Sequence, residues 1–181
     1  MVSELATGRS IGATIVAQAV AGDAVAFARI VEAHHDDMAR VCLVICGDQD
    51  MAQDAVQAAW PIAWRKLRTL REPDLLRPWL VKIAANEVRQ ILRRQGRYRV
   101  TQIEVADVGS DMHDPSNRTA RADLEAALRR LSPEDREVLA MRYVSGFDAT
   151  EMGRALGMSA SGVRSRLARA VARLRSELGD E

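Results

Sequence analysis

Between Gly157 and Arg175 the chain reads GMSASGVRSRLARAVARLR, with five arginines and no acid. A guanidinium stays protonated and offers a fixed fork of donors, so its chemistry is recognition of phosphate or carboxylate. A second cationic run, PWLVKIAANEVRQILRRQGRYR, carries Lys82, Arg89, Arg93, Arg94, Arg97 and Arg99 with Glu87 its only acid. Asn86 and Gln90 lie one helical turn apart within it, and both amides can make paired hydrogen bonds to a base edge. Catalytic chemistry has one candidate, His34-His35-Asp36-Asp37, which has the look of a metal-hydrolase fragment. A hydrolytic metal needs further ligands at defined places, and His113 is the one remaining histidine. The chain is therefore read as a non-enzyme with no cofactor and no metal. Cys42 and Cys46 could share a helix face with His35, but two small buried thiols are the simpler reading.

These residues need helices to hold them. Strand patterning is nearly absent, and apolar residues recur at helical spacing. A first helix is expected from Asp23 to about Cys46 on Phe27, Ile30, Val31, Met38, Val41, Cys42 and Ile45. A second runs from Asp50 to Arg68 on Ala55, Val56, Ala59, Ile62 and Ala63. Pro61 lacks the N–H that would bond back to residue 57, which predicts a kink or a restart. The loop TLREPDLLRP leads into a third helix, Trp79 to Arg94, with a core stripe of Leu80, Ile83, Val88 and Ile91. Trp60, Trp64 and Trp79 fall at core spacing rather than as stacking platforms.

The C-terminal part is punctuated more sharply. A helix is expected over Thr119 to Arg130. Ser132 caps the next, with Pro133 at its first position, running to Val144. Asp148 with Glu151 reads as a capping box opening a short helix to Leu156. Gly157 suits a left-handed C-terminal cap, and Ser159 caps a last helix reaching Leu178. Two helices joined by Gly157-Met158-Ser159 have helix-turn-helix spacing. On that last helix Val163, Leu167, Ala170, Val171 and Leu174 form one apolar face. Arg166, Arg169 and Arg173 lie opposite, with Arg164 and Arg175 at its flank. An arginine-rich face alone is usually just solvated. Joined to the capped short helix and the glycine turn, it indicates a helix laid in a DNA major groove.

Net charge is only +1, yet its distribution is uneven. Residues 1–64 hold three bases and eight acids, 65–100 eleven bases and three acids, and 101–117 four acids and no base. The last of these stretches, with Gly, Pro, Ser and Asn near its end, reads as an interdomain linker; Val100 to Val105 alternates briefly but has no partner strand. No apolar run approaches the length of a membrane span, and no signal peptide is visible. The chain is read as cytoplasmic, without membrane insertion, and monomeric when free. Its fold class is all-α: two small helical domains joined by a flexible acidic linker, the second a helix-turn-helix.

With these blocks identified, the chain resembles the extracytoplasmic-function sigma factors, the small members of the sigma-70 family. AVAGDAVAFARIVEAH is similar to the opening of that family's second conserved domain. Asp54-Ala-Val-Gln57, then Trp60 and Ala63-Trp64-Arg65, resembles the helix that docks on the polymerase clamp. Pro78-Trp79-Leu80, Ile83-Ala84, Asn86 and Leu92-Arg93-Arg94 resemble the helix beside the minus-ten element. LSPEDREVLAMRYVSGF with ALGMSASGVRSRLARA resembles the fourth conserved domain, which reads the minus-thirty-five element. Three positions depart from the family pattern: Ala58 where an acid is usual, Gln90 where Asp is common, and Gly162 where Thr is usual.

The resemblance implies domain 2 over residues 14–97, a linker over 98–117 and domain 4 over 118–178. It implies that Asp54, Gln57, Trp60 and Arg65 meet core RNA polymerase. Lys82, Asn86, Arg89, Gln90, Arg93, Arg94 and Arg97 would meet minus-ten DNA. Ser159, Ser161, Gly162, Arg164, Ser165, Arg166, Arg169 and Arg173 would meet minus-thirty-five DNA. Such a protein directs core polymerase to promoters, supports their opening, and is typically held silent by an anti-sigma factor. The alternative is a stand-alone helix-turn-helix regulator with a sensing or dimerising N-terminal domain, which has no need of the second basic helix.

Overall fold

The computed structural model describes residues 13–96 and 115–179, with side chains described over 13–96 and 121–179. Residues 13–20 are helical (α1). They are followed by α2 (Ala24–Cys46), α3 (Gln49–Lys66), α4 (Leu76–Arg94), α5 (Pro115–Arg130), α6 (Pro133–Tyr143), α7 (Ala149–Leu156) and α8 (Ala160–Leu178). Two 3-10 turns, Leu67–Thr69 and Pro73–Leu75, lie between α3 and α4. The class is all-α, with two helical domains. The expected alternation at Val100 to Val105 and most of the expected linker lie outside the described residues. Helix α5 begins at Pro115, earlier than Thr119.

Local chemistry accounts for the helix ends. Asp23 Oδ1 accepts from the N–H groups of Val25 and Ala26 at 2.8 and 3.1 Å, opening α2. Gly47, at φ 71°, closes it with a bond to the Leu43 carbonyl. Asp48 caps α3 through the Met51 N–H. Helix α3 runs through Pro61 as one element and does not restart. Pro61 lies on the exposed side, where water can meet the Gln57 carbonyl that the missing N–H leaves free.

In the first domain α2, α3 and α4 pack on one another around Met38, Val41, Ile45, Val56, Leu80 and Val88, all fully or nearly fully buried. Helix α4 starts at Leu76, before Trp79, carried in by the preceding 3-10 turn. Its stripe also differs from expectation. Leu92 is fully buried and Ile91 only half-buried, because α4 meets α6 and α7 as well as α2 and α3. Trp60 packs in the core, edge-on to Phe27, whereas Trp64 remains 36% exposed with the Phe27 ring 4.7 Å away.

The His34–Asp37 stretch has structural partners. Trp60 Nε1–H donates to His35 Nδ1, which leaves the other ring N–H to donate to Gln53 Oε1 at 3.1 Å. Both cysteines are free and buried. Burial pushes the Cys42 thiol well above its ordinary range and Cys46 up to about 11. Cys46 Sγ–H also donates to the Asp48 carbonyl at 3.1 Å. These are inert packing thiols at neutral pH.

In the second domain Ser132 caps α6, and the capping box opening α7 is complete: Asp148 Oδ1 accepts from Thr150 and Glu151, and the Glu151 carboxylate accepts from the Asp148 N–H. The Glu151 and Thr150 N–H groups hold the Asp148 carboxyl below its ordinary range. A lowered folded-state value stabilises the fold above the unfolded value, and the gain disappears as pH falls through the folded one. The melting-temperature gap between wild type and Asp148→Ala is therefore expected to be widest near neutrality and to close in acid. A gap independent of pH would show that the charge contributes nothing.

Candidate nucleic-acid interface

Three faces carry the expected site residues. The first is the outer side of α8. Gly157, at φ 71°, ends α7, and the turn through Met158 brings the chain back against Gly153. A Cβ at Gly153 would lie 2.6 Å from the Met158 carbonyl oxygen, so the two helices meet backbone to backbone. Ser159 Oγ accepts from the Gly162 N–H at 3.1 Å and lies 3.1 Å from Ser161 Oγ. Val163 and Ala170 are fully buried, with Leu167, Val171 and Leu174 half-buried beside them, so the expected apolar face is the packed one. Ser159, Ser161, Arg164, Ser165, Arg169 and Arg173 are exposed, while Gly162 and Arg166 are half-buried. Arg173 is paired with Asp135 at the start of α6. The open N-terminal turn of α8 thus presents hydroxyls and a glycine, followed by cations along one side.

The second face is α4 with the loop before it. Lys82, Asn86, Arg89 and Gln90 are half-buried, Arg93 and Arg94 exposed, and Arg97 lies outside the described residues. Gln90 Nε2 donates to Glu87 Oε1 at 3.0 Å. The Arg89 guanidinium donates both to Asn86 Oδ1 and to Glu137 of α6. In the loop, Arg77 Nε donates to Asp37 Oδ2 at 2.8 Å, and Glu72 accepts from Arg154 of α7 at 2.6 Å. The third face is the outer stripe of α3, where Asp54, Gln57 and Arg65 are exposed at helical spacing. Trp60 lies beneath that stripe, 9% exposed.

Glu137 and Ser145, which no sequence pattern singles out, are buried where the two domains meet, and so is Asp37, which the sequence offered only as part of a metal-hydrolase fragment. Burial raises the Glu137 carboxyl above its ordinary range, opposed by the Arg89 and then the Arg166 guanidinium. One signal was available. Helix α6 interleaves charged and apolar residues, and Pro133 and residues 135–141 are buried nearly all round it, which requires neighbours on more than one side.

Residues 30–98 match the family model for sigma-70 region 2, and residues 121–174 that for sigma-70 region 4. The chain is 32% identical over 176 residues to the RNA polymerase sigma factor NccH of Alcaligenes xylosoxydans xylosoxydans, covering 93% of this chain and 95% of that protein. It is 37% identical over 169 residues to the probable RNA polymerase sigma factor RfaY of Xanthomonas campestris, covering 88% of this chain but only 42% of that protein's length. Among solved structures, it resembles the sigma factor RpoE of Bartonella quintana, determined with the anti-sigma factor NepR. That match has a TM-score of 0.66 and 25% identity, and covers 84% of this chain and 96% of that one.

Proposed function

Because the chain belongs to the extracytoplasmic-function sigma factors of the sigma-70 family, we propose that it directs core RNA polymerase to specific promoters and supports their opening. The observation that carries this reading is the ordered pair of region 2 and region 4 matches, each lying on a helical domain with its own cationic helix. Residues 14–97 serve as domain 2, residues 98–117 as the linker, and residues 118–178 as domain 4. The outer stripe of α3, with Asp54, Gln57 and Arg65, docks on core polymerase, and Trp60 supports it from below. Lys82, Asn86, Arg89, Gln90, Arg93, Arg94 and Arg97 meet the melted minus-ten strand. The N-terminal turn and arginine side of α8 meet minus-thirty-five duplex.

The division of labour follows from the chemistry. Amide side chains and arginine forks read or hold DNA, and nothing on these faces makes or breaks a covalent bond. Bond formation belongs to the polymerase, and the chain is not an enzyme. Among the described residues no helix is long and apolar enough to cross a membrane. The reading places the protein in the cytoplasm, monomeric when free, with an anti-sigma factor as a further partner.

Reconstituted runoff transcription on a randomised promoter library tests the function directly. Core polymerase supplemented with the chain should transcribe a selected subset of templates, and no selection would refute the reading. In the same system, Asp54→Ala with Gln57→Ala should weaken core binding about tenfold, as loss of a central polar contact does at an interface. Duplex binding by the free chain should be unchanged. Loss of both together would mean that α3 does not act as the docking face.

A further inference from the structure

We infer that Glu87 is a positioning residue for promoter recognition: it makes Gln90 an acceptor, so that the base facing Gln90 carries an amino group at purine carbon 6 or pyrimidine carbon 4, as adenine and cytosine do. The inference rests on reading α4 as the minus-ten surface. A primary amide is ambiguous on its own, because its oxygen accepts, its nitrogen donates, and half a turn exchanges them. On α4 the neighbouring charges remove that ambiguity. Gln90 Nε2 lies 3.0 Å from Glu87 Oε1. A carboxylate only accepts, so the amide nitrogen must be the atom turned toward it. The reverse orientation would set the amide oxygen against the carboxylate with no hydrogen between them. Asn86 is held in the converse sense. Its Oδ1 accepts from the Arg89 guanidinium, which only donates, so the Asn86 amide has its Nδ2–H groups to offer a ligand. Both bonds lie within α4, between residues three apart, and need no other element to form.

Asn86 and Gln90 are both half-buried, one helical turn apart on the side of α4 that also carries Lys82 and Arg93. That side therefore offers a donor one turn before an acceptor, with cations on either hand for phosphate. Such a pattern sorts the four bases into two classes. Adenine and cytosine carry an amino group where guanine and thymine carry a carbonyl. An acceptor at Gln90 bonds the first class. It meets the second oxygen to oxygen, which leaves two acceptors facing each other unpaired. A glutamate three residues from a glutamine also stabilises a helix slightly, but that role is indifferent to which base is bound. Base preference is thus the property that separates positioning from simple support.

The test is transcription by core polymerase with the full-length chain on promoters randomised through the melted segment. Wild type should show a position where adenine and cytosine are preferred to guanine and thymine by about tenfold, the penalty for unpaired acceptors. Gln90→Ala identifies that position by losing the preference there. Glu87→Gln should cut the preference at the same position to within about twofold, because an amide at position 87 can meet Gln90 in either orientation. Glu87→Gln combined with Gln90→Glu should restore it, since a carboxylate at position 90 accepts without help. Each reading is a ratio between templates, so a uniform loss of affinity does not disturb it. A preference for guanine or thymine at the Gln90-dependent position overturns the inference. So does a Glu87→Gln chain that keeps the wild-type ratio or only transcribes every template less, and so does a double variant that stays unselective; in these cases the reading of α4 stands. If Gln90→Ala changes the preference at no position, the assignment of Gln90 to DNA falls, and the inference falls with it.

Discussion

Replacing Arg166 and Arg169 together with alanine is expected to weaken binding to minus-thirty-five duplex by about a hundredfold while leaving core polymerase binding intact. Each guanidinium–phosphate contact is charge-assisted and contributes on the order of 1.5 kcal/mol, and two such losses compound to that factor. Arg169 is exposed with only a long 3.4 Å bond to the Ser165 carbonyl, so little but water is displaced when phosphate arrives. Arg166 is half-buried, and its guanidinium is one of the two that oppose the rise burial imposes on the Glu137 carboxyl. The slope of log affinity against log salt should fall by about 0.9 per lost phosphate contact. Arg173 is a useful contrast. Its pairing with Asp135 must be broken before it can reach DNA, so Arg173→Ala should cost less than either of the other two. Gel-shift titrations at several salt concentrations, alongside core-binding measurements, read all of this. An equal fall in core affinity would show that α8 supports the fold rather than the DNA contact.

The second large effect is expected at Gly153, where alanine should destabilise the second domain by about 2 kcal/mol and abolish tight duplex binding. Helix propensity alone points the other way, since Gly to Ala inside a helix gains close to 1 kcal/mol. Geometry decides the sign. The new Cβ would sit 2.6 Å from the Met158 carbonyl oxygen and 3.4 Å from the Ala160 N. Those are backbone atoms of the turn and of the first residue of α8, so relief requires moving α8 away from α7 and tilting it. Gly162 is the control. A Cβ there would meet only Ser159 Oγ at 3.2 Å and the flexible end of Met158 at 3.6 Å. Gly162→Ala should be neutral or slightly stabilising. Urea unfolding of the two variants separates the cases, and a stable Gly153→Ala chain with wild-type duplex affinity would refute the close-approach argument.

Much of this molecule was legible in its sequence because the deciding interactions are local. Ser132, Asp148 and Ser159 each cap the helix they precede, and Gly157 takes the left-handed turn expected of it. A cap acts on N–H groups two or three residues away, and an apolar stripe repeats every three or four, so both are written in consecutive residues. The apolar face of α8 followed from the same periodicity. The restart that Pro61 allowed did not occur, because a proline on an exposed helix face costs less than one in a packed interior, and exposure is a property of the fold.

The contact between the two domains, by contrast, was not written in any local pattern. Ser145 reaches Asp37 across 108 positions and Arg89 reaches Glu137 across 48, and no spacing rule connects residues so far apart. Leu92 replaced Ile91 in the core for the same reason: α4 has neighbours on two sides, and only one of them was implied by its own pattern. Sequence alone thus established the all-helical class, the caps at Ser132, Asp148 and Ser159, the two basic runs and the family. Which of those cations are free and which are held by a carboxylate from the other domain depended on long-range packing, because an ion pair is specified by position in space and not by order along the chain.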